Sequence, residues 1–313
     1  MQTKILVTGG AGFIGSSLAE RLAENPDNYV VIVDNLLTGK LSNIPKSKHN
    51  NVKFIKADVN DWGDVSGIFY AFAFDFVFHY AAIVGVKRTL AIPVKVLNDI
   101  TGIRNILSLC KNTGVKRVLY SSSSEVYGEP VEFPQNEHTT PLNSRLPYAI
   151  VKNLGEAYLR SYYQEYGLNY TIFRLFNTYG TKQSTDFVIS KFLLAAKENR
   201  DITIFGDGSQ TRTFCYIDDH CEAVTHAFYN NLFINDVANL GNDNETNMVE
   251  LANIIIRLTG SRSKIVHLPK LEEGDMTRRK PDIAKMKQLL QHELIPLDEG
   301  LTRMIHAGEF AHS

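Results

Sequence analysis

Cysteine is scarce in this chain, with three in 313 residues, at Cys110, Cys215 and Cys221. An odd, widely separated set without metal-ligand spacing argues against a redox or zinc role, and the expectation is reduced core thiols with no metal. Charge of one sign is not in excess either, since 33 Lys and Arg face 34 Asp and Glu. No global basic field is available to recruit nucleic acid or an anionic membrane. No apolar run reaches spanning length, and the first residues read as a strand rather than a charged segment with an apolar leader. A soluble, cytoplasmic protein is expected. Repeats and low-complexity segments are absent as well. What remains is bulk: 44% hydrophobic residues can bury a large core, arranged as two interlocked lobes.

The run Ile5-Leu6-Val7-Thr8 ends in clustered glycines, Gly9, Gly10, Gly12 and Gly15, and opens into a helix-patterned segment from Phe13 to Glu24. Small residues let backbone approach a pyrophosphate, while the helix that follows aims its first N–H groups, at Phe13 and Ile14, toward negative charge. Gly10, Gly12 and Gly15 fit G-x-G-x-x-G; Gly9, Gly12 and Gly15 fit G-x-x-G-x-x-G. A second apolar run, Tyr29 to Val33, ends at Asp34, followed by Asn35. A carboxylate at that distance accepts from the adenosine ribose hydroxyls and repels a 2′-phosphate, which favours NAD over NADP, with Lys40 a nearby cation.

Apolar runs alternate with helical patterns through the first half, which predicts a parallel sheet covered on both faces. Strands are predicted at Lys4–Thr8, Tyr29–Asp34, Val52–Asp58, Phe74–Ala81, Val115–Ser121 and Asn169–Phe173, and helices at Phe13–Glu24, Asp61–Phe72, Pro93–Asn112 and Tyr148–Tyr166. Beyond Asn177 the pattern is mixed. Helices are predicted at Phe187–Asn199, Asp218–Asn230 and Met248–Thr259, and strands at Ile202–Phe205, Thr213–Ile217 and Lys264–Leu268. Asp58, at the end of the third strand and followed by Val59, suits contact with an adenine amino group or a surface acid. Ala81 begins a small-residue strand exit toward Gly85. His79 reads as a core histidine.

Tyr148-Ala149-Ile150-Val151-Lys152 places a phenol and an ammonium four apart on one helix face. A free tyrosine titrates near 10. A cation about 4 Å away at an effective dielectric near 20 is worth about 4 kcal/mol, or roughly three pKa units downward. That brings the phenol into the range where it can take a proton from a hydroxyl. Upstream, Ser121-Ser122-Ser123-Ser124-Glu125 sets hydroxyls at the carboxyl edge of a strand, where ligands bind open α/β sheets. Ser123 is placed to hydrogen-bond the reacting hydroxyl.

With these residues in order, and with Arg174-Leu175-Phe176-Asn177-Thr178-Tyr179-Gly180 and Phe205-Gly206-Asp207-Gly208-Ser209-Gln210-Thr211-Arg212 after them, the chain resembles the extended short-chain dehydrogenases/reductases from Lys4 to about Arg303. Within them it is similar to the NAD-dependent epimerase/dehydratase branch that acts on nucleotide sugars. The resemblance implies a Rossmann-type doubly wound parallel sheet with a smaller, interwoven α/β substrate lobe. The expected cofactor domain is 1–176 with a return segment of about 213–245, and the expected sugar lobe is 177–212 with 246–313. It implies NAD that stays bound and Tyr148 deprotonating a sugar hydroxyl, usually at C4, to give a 4-keto sugar, with Lys152 also on the nicotinamide ribose. Asn177 is expected on the substrate. Arg212, and Arg279 in the run Thr277–Asp282, are expected on its diphosphate. Helices Pro93–Asn112 and Tyr148–Tyr166 are expected to pair with a second subunit.

The fate of the 4-keto sugar is left open among C4 dehydrogenation, 4-epimerisation, decarboxylation and 4,6-dehydration of a GDP-, UDP- or dTDP-sugar, the first two ranking slightly ahead. Ser123-Ser124-Glu125 resembles the Thr-Ser-Glu or Thr-Asp-Glu segment of nucleotide-sugar decarboxylases and 4,6-dehydratases, where the glutamate handles protons at C5. The run from Ala81 to Val86 is instead more similar to epimerases, and Thr181 replaces the proline that commonly follows Tyr-Gly. A non-catalytic NAD-binding protein would need no Tyr148/Lys152 pair.

Overall fold

The computed structural model describes residues 2–269 and 278–308. The elements run β1 (Thr3–Thr8), α1 (Phe13–Ala23), β2 (Asn28–Asp34), β3 (Val52–Lys56), α2 (Trp62–Phe72), β4 (Phe76–His79), α3 (Val86–Ala91), α4 (Pro93–Leu97), α5 (Asp99–Thr113), β5 (Arg117–Ser123), α6 (Pro147–Tyr166) and β6 (Asn169–Leu175). They continue as β7 (Thr178–Tyr179), α7 (Val188–Lys197), β8 (Ile202–Phe205), β9 (Thr211–Thr213), β10 (Cys215–Tyr216), α8 (Ile217–Tyr229), β11 (Asp236–Leu240), β12 (Glu245–Asn247), α9 (Met248–Thr259), β13 (Ile265–Leu268), α10 (Ala284–Leu289) and α11 (Leu297–His306).

Seven strands form one sheet in the order β11-β6-β5-β4-β1-β2-β3. The pairings of β3 with β2, β2 with β1, β1 with β4 and β4 with β5 are all parallel. Successive side chains point to opposite faces, so both faces are apolar. Leu6, Val31, Val77, Val118 and Ile172 share a core with Phe69 of α2, Ile106 of α5 and Leu159 of α6. On β4, Phe76 and Phe78 instead meet Phe228 of α8 edge-on. The sheet is a doubly wound α/β sheet whose order reverses between β1 and β4, the place where such sheets open a ligand crevice at the strands' carboxyl ends.

The chain divides into two compact units. The first holds 1–128, 142–174 and 224–238; the second holds 129–141, 175–223 and 239–313. Its return segment is shorter than the expected 213–245, and 129–141 pairs within the second unit, where Gln135 bridges Pro281. In the second unit β8 pairs with β13 in parallel and β9 with β12 antiparallel.

Several elements differ from those read off the pattern. The expected helix Pro93–Asn112 is two helices that meet at a turn at Asn98, preceded by the short α3. Proline at the first position of α4 has no N–H, and Ile92 before it leaves the helical region at φ −132°, ψ 54°, which ends α3. The expected strand 213–217 is two short strands interrupted at Phe214. Strand β11 carries Asn239 among its apolar residues, so it lacks an uninterrupted apolar run, yet it is the seventh strand of the sheet. The three cysteines are buried and none forms a disulfide among the described residues. Among the described residues no helix is long and apolar enough to cross a membrane.

Candidate active site

At the end of β1 the chain turns through Gly9 at φ +68°, a left-handed conformation that favours glycine. A Cβ on Gly9 would stand 2.6 Å from the Ala81 nitrogen, so only glycine lets the exits of β1 and β4 come this close. A Cβ on Gly15 would stand 2.3 Å from the Gly9 carbonyl oxygen, which is how α1 presses onto its own turn. A Cβ on Gly12 would meet nothing closer than that oxygen at 3.2 Å. A Cβ on Gly10 would stand 2.6 Å from Ile32 Cγ2, so Gly9, Gly10 and Gly15 are the pressed positions and Gly12 leaves an open backbone face. Helix α1 has no side-chain cap and no acid in its first turn, so the amides at Phe13 and Ile14 carry uncompensated positive potential. The arrangement fits a pyrophosphate.

Asp34 closes the next strand. Its carboxylate accepts from the Ala11 amide at 3.0 Å and the Leu36 amide at 2.8 Å, tying the β2 exit to the glycine turn. Acceptor capacity remains on both oxygens for ribose hydroxyls. Asp58 is part of a built corner rather than a solitary surface acid: Asn35 donates to it at 2.9 Å and the Asn60 amide at 2.9 Å. Val59 is buried beside it, with its carbonyl taken by Asn105. Lys40, the nearby cation, has its backbone amide on the Ala11 carbonyl.

The second cluster lies on β5 and α6. Lys152 is 2% exposed, and its Nζ donates to the Ser121 carbonyl at 2.5 Å. The same Nζ lies 5.0 Å from the centre of the Tyr120 ring and 5.9 Å from that of Tyr148. Burial pulls the ammonium down to about 8, with Asp99 opposing. A lysine in water keeps its charge to about pH 10; this one sits nearer its titration. Tyr148 is half-buried one turn away. Strand β5 runs two residues further than expected, which puts Ser122 and Ser123 on the strand itself. Ser123 Oγ accepts from the Glu125 amide at 3.2 Å, so its own proton is left to donate elsewhere. Ser124 is buried at the start of the same short turn, and Glu125 follows it half-buried.

Behind this cluster lies a network the sequence reading passed over. Glu156, fully buried one turn beyond Lys152, accepts from Ser122 Oγ at 2.6 Å and from Arg174 at 2.9 and 2.7 Å. Arg160 adds a third donor to it, and Arg174 reaches Tyr127 Oη at 2.9 Å. Burial opposes ionisation of Glu156, but the Arg174 hydrogen bonds outweigh it and hold the carboxyl below its usual range. A helix face reading Tyr148, Lys152, Glu156 at four-residue spacing was the signal for it. Beneath, His79 is 3% exposed and exchanges a hydrogen bond with Thr8 Oγ1 at 2.8 Å. Burial holds it neutral, down to about 3.

The expected substrate residues lie in the second unit. Asn177 adopts φ +37° and donates to the Thr213 carbonyl at 2.9 Å. Arg212, on β9, donates to the Thr211 carbonyl, and Arg279 is buried. Its neighbour Arg278 grips Glu245 through two bonds of 2.6 Å, with Lys280 also at 3.6 Å. The Arg278 hydrogen bonds pull Glu245 down to about 2. Thr277 lies outside the described residues. Among the described residues no group of acids, histidines or cysteines could hold a metal.

Known proteins resemble this chain in sequence and in fold. Residues 5–241 match the model of the NAD dependent epimerase/dehydratase family. The chain is 36% identical over 311 residues to UDP-glucuronic acid decarboxylase 1 of Danio rerio, covering 96% of this chain and 72% of that one. It is 37% identical over 321 residues to UDP-N-acetyl-alpha-D-glucosaminuronate decarboxylase of Bacillus cytotoxicus, covering 97% of each. The fold superposes with a TM-score of 0.91 on UDP-glucose 4-epimerase of Thermotoga maritima, solved with UDP-glucose, at 32% identity over 97% of this chain and 98% of that one.

Proposed function

The chain belongs to the NAD dependent epimerase/dehydratase family, its cofactor is NAD, and we propose that it oxidises the C4 hydroxyl of a nucleotide-diphosphate sugar to a 4-keto sugar. The observation that supports this reading is that Tyr148 and Lys152 lie together on α6, with Lys152 bonded to β5, the strand that ends in Ser123. NAD, when bound, supplies the acceptor for the hydrogen that leaves C4 with its electron pair. Gly9, Gly12, Phe13, Ile14 and Gly15 would hold its pyrophosphate, Asp34 its ribose, Asn35, Asp58 and Val59 the adenine side, and Ala81, Tyr148 and Lys152 the nicotinamide side.

Tyr148 takes the C4 hydroxyl proton, and Ser123 donates to the same oxygen. The positive field of Lys152 lowers the energy of the tyrosinate so that proton transfer proceeds near neutral pH. Asn177, Arg212 and Arg279 serve as substrate contacts, the two guanidinium groups matching phosphate oxygens. Return of hydrogen to the opposite face of C4 makes the protein a 4-epimerase, and release of the ketone makes it a C4 dehydrogenase.

A second reading, decarboxylation of a UDP-hexuronic acid, is favoured by Glu125, whose amide is bonded to Ser123, and by the two decarboxylase relatives. A 4-keto uronic acid loses carbon dioxide readily, and Glu125 would manage the proton at C5. Incubation with UDP-, GDP- and dTDP-sugars, read by mass spectrometry and NMR, separates these fates. Unchanged mass with inverted C4 supports the epimerase, loss of carbon dioxide the decarboxylase, and loss of two hydrogens the dehydrogenase. Inertness toward every sugar would sink the C4 reading.

The subunit is proposed to dimerise through α4 and α6, which pack together and expose Val94, Leu97, Ile150 and Leu154.

A further inference from the structure

The short turn Ser124–Tyr127 follows β5 directly and carries Glu125, and one buried ion pair holds both of its ends. At the front, Ser122 Oγ donates to Glu156 Oε1 at 2.6 Å. At the back, Tyr127 Oη accepts from Arg174 Nη1 at 2.9 Å, and the Tyr127 ring centre lies 4.8 Å from Arg174 Cζ. Arg174 turns its other two nitrogens on Glu156, Nε to Oε1 at 2.9 Å and Nη2 to Oε2 at 2.7 Å. The contacts form a closed circuit through Ser122, Glu156, Arg174 and Tyr127, and the chain between Ser122 and Tyr127 completes it. Ser123, Ser124 and Glu125 lie on that stretch.

The circuit is packed as well as bonded. Ser122, Tyr127, Glu156 and Arg174 are each 1% exposed or less. A Cβ on Gly155 would stand 2.3 Å from Tyr120 Oη, so α6 presses onto β5 one residue before Glu156. Gly128 ends the turn at φ +66°, and a Cβ there would stand 2.5 Å from Asn143 Oδ1 and 2.8 Å from the Ser144 nitrogen, on the approach to α6. A two-point guanidinium–carboxylate contact fixes direction as well as distance. The bond from the Glu125 amide to Ser123 Oγ is local, so it cannot set where the turn stands against another element.

We propose that Glu156 and Arg174 are positioning residues, acting through Ser122 and Tyr127 to fix the Ser123–Glu125 segment against α6, the helix of Tyr148 and Lys152. The inference rests on the reading of Tyr148 as the base and Ser123 as donor to the sugar oxygen. Buried as they are, the two members of the pair meet no ligand and act only through the turn. An anchor that served stability alone would let turnover return whenever folding does.

Two variants test it. Tyr127→Phe keeps the ring and removes the oxygen that Arg174 reaches. Glu156→Gln with Arg174→Met removes the pair together, which avoids stranding one buried charge. Amide hydrogen exchange, read by mass spectrometry with NAD present, needs no sugar. Amides at 123–128 should exchange about 10-fold faster in both variants while those of β1 keep the wild-type rate. Unchanged exchange at 123–128 in either folded variant would overturn the proposal. Turnover is read with UDP-glucose and UDP-glucuronic acid, then with GDP- and dTDP-sugars. On any sugar that the wild type converts, kcat should fall about 10- to 100-fold, with KM within about two-fold and NAD content unchanged. A wild-type kcat in a variant whose turn exchanges faster overturns the proposal equally and leaves the pair a stability element. Inertness of the wild type toward every nucleotide sugar would sink the C4 reading, and exchange at the turn still decides whether the pair holds it.

Discussion

At the residue scale Gly12 and Gly15 of the first turn do different work, and substitution separates them. Gly15→Ala drives a methyl to 2.3 Å from the Gly9 carbonyl and is expected to cost several-fold in soluble, folded protein. Gly12→Ala meets only a contact at 3.2 Å in the ligand-free chain, so it should fold with a melting temperature near wild type and lose most bound NAD. Thermal denaturation with cofactor extraction distinguishes the pair; equal loss of folding in both would contradict the assigned roles. Tyr148→Phe keeps the ring and removes the phenol. It is expected to lower sugar oxidation about 100-fold or more while NAD stays bound, and full activity would remove the assigned base. Residue identities at this scale were legible because each carries chemistry of its own. The contact of Asp99 with Asn60 was not, since nothing in Leu97-Asn98-Asp99-Ile100 says which loop will meet that acid.

At the scale of elements, the Glu156–Arg174 pair joins α6, β5, β6 and the turn that carries Glu125. Arg174 is 1% exposed, so Glu156→Gln leaves a buried guanidinium without its counter-charge. We expect a loss of about 3–5 kcal/mol of unfolding free energy in urea, largely restored by pairing Glu156→Gln with Arg174→Met. A loss under about 1 kcal/mol would mean that water reaches the site. Because the folded carboxyl is held below its unfolded value, this stabilisation is complete above the usual glutamate range and is lost as pH falls through the lower folded value. Strand and helix positions in the first half followed the apolar periodicity closely. Strand β11 and helix α11 did not, for α11 buries only Gly300, Leu301 and Met304 of its ten residues.

At the scale of the whole molecule, burial of two histidines sets the response to acid. His79 and His220 are both pulled down to about 3 by burial, against 6.5 when exposed. Below pH 6.5 the unfolded chain takes up protons that the folded chain refuses, so stability falls as pH drops from 6.5 toward 3. Each histidine contributes a slope of up to roughly 1.4 kcal/mol per pH unit. His220→Gln should flatten the dependence of unfolding free energy on pH between 4 and 6 by about that amount, and an unaltered slope would show that His220 is already protonated when folded. Assembly is tested separately. Val94, 72% exposed on α4, is expected in the subunit contact, so Val94→Glu with Leu154→Glu should give monomers by light scattering.

The amino-acid order alone determined the doubly wound sheet, the glycine turn with its following acid, and the tyrosine–lysine spacing. Each is a local pattern whose physical meaning is complete within a few turns of chain. Tertiary structure decided what those groups experience. It buried Lys152 and so drew its titration down toward neutral pH, and it placed Glu156 and Arg174 behind the serines. Such effects depend on desolvation and on charges far apart in sequence, and both exist only once the strands and helices have packed.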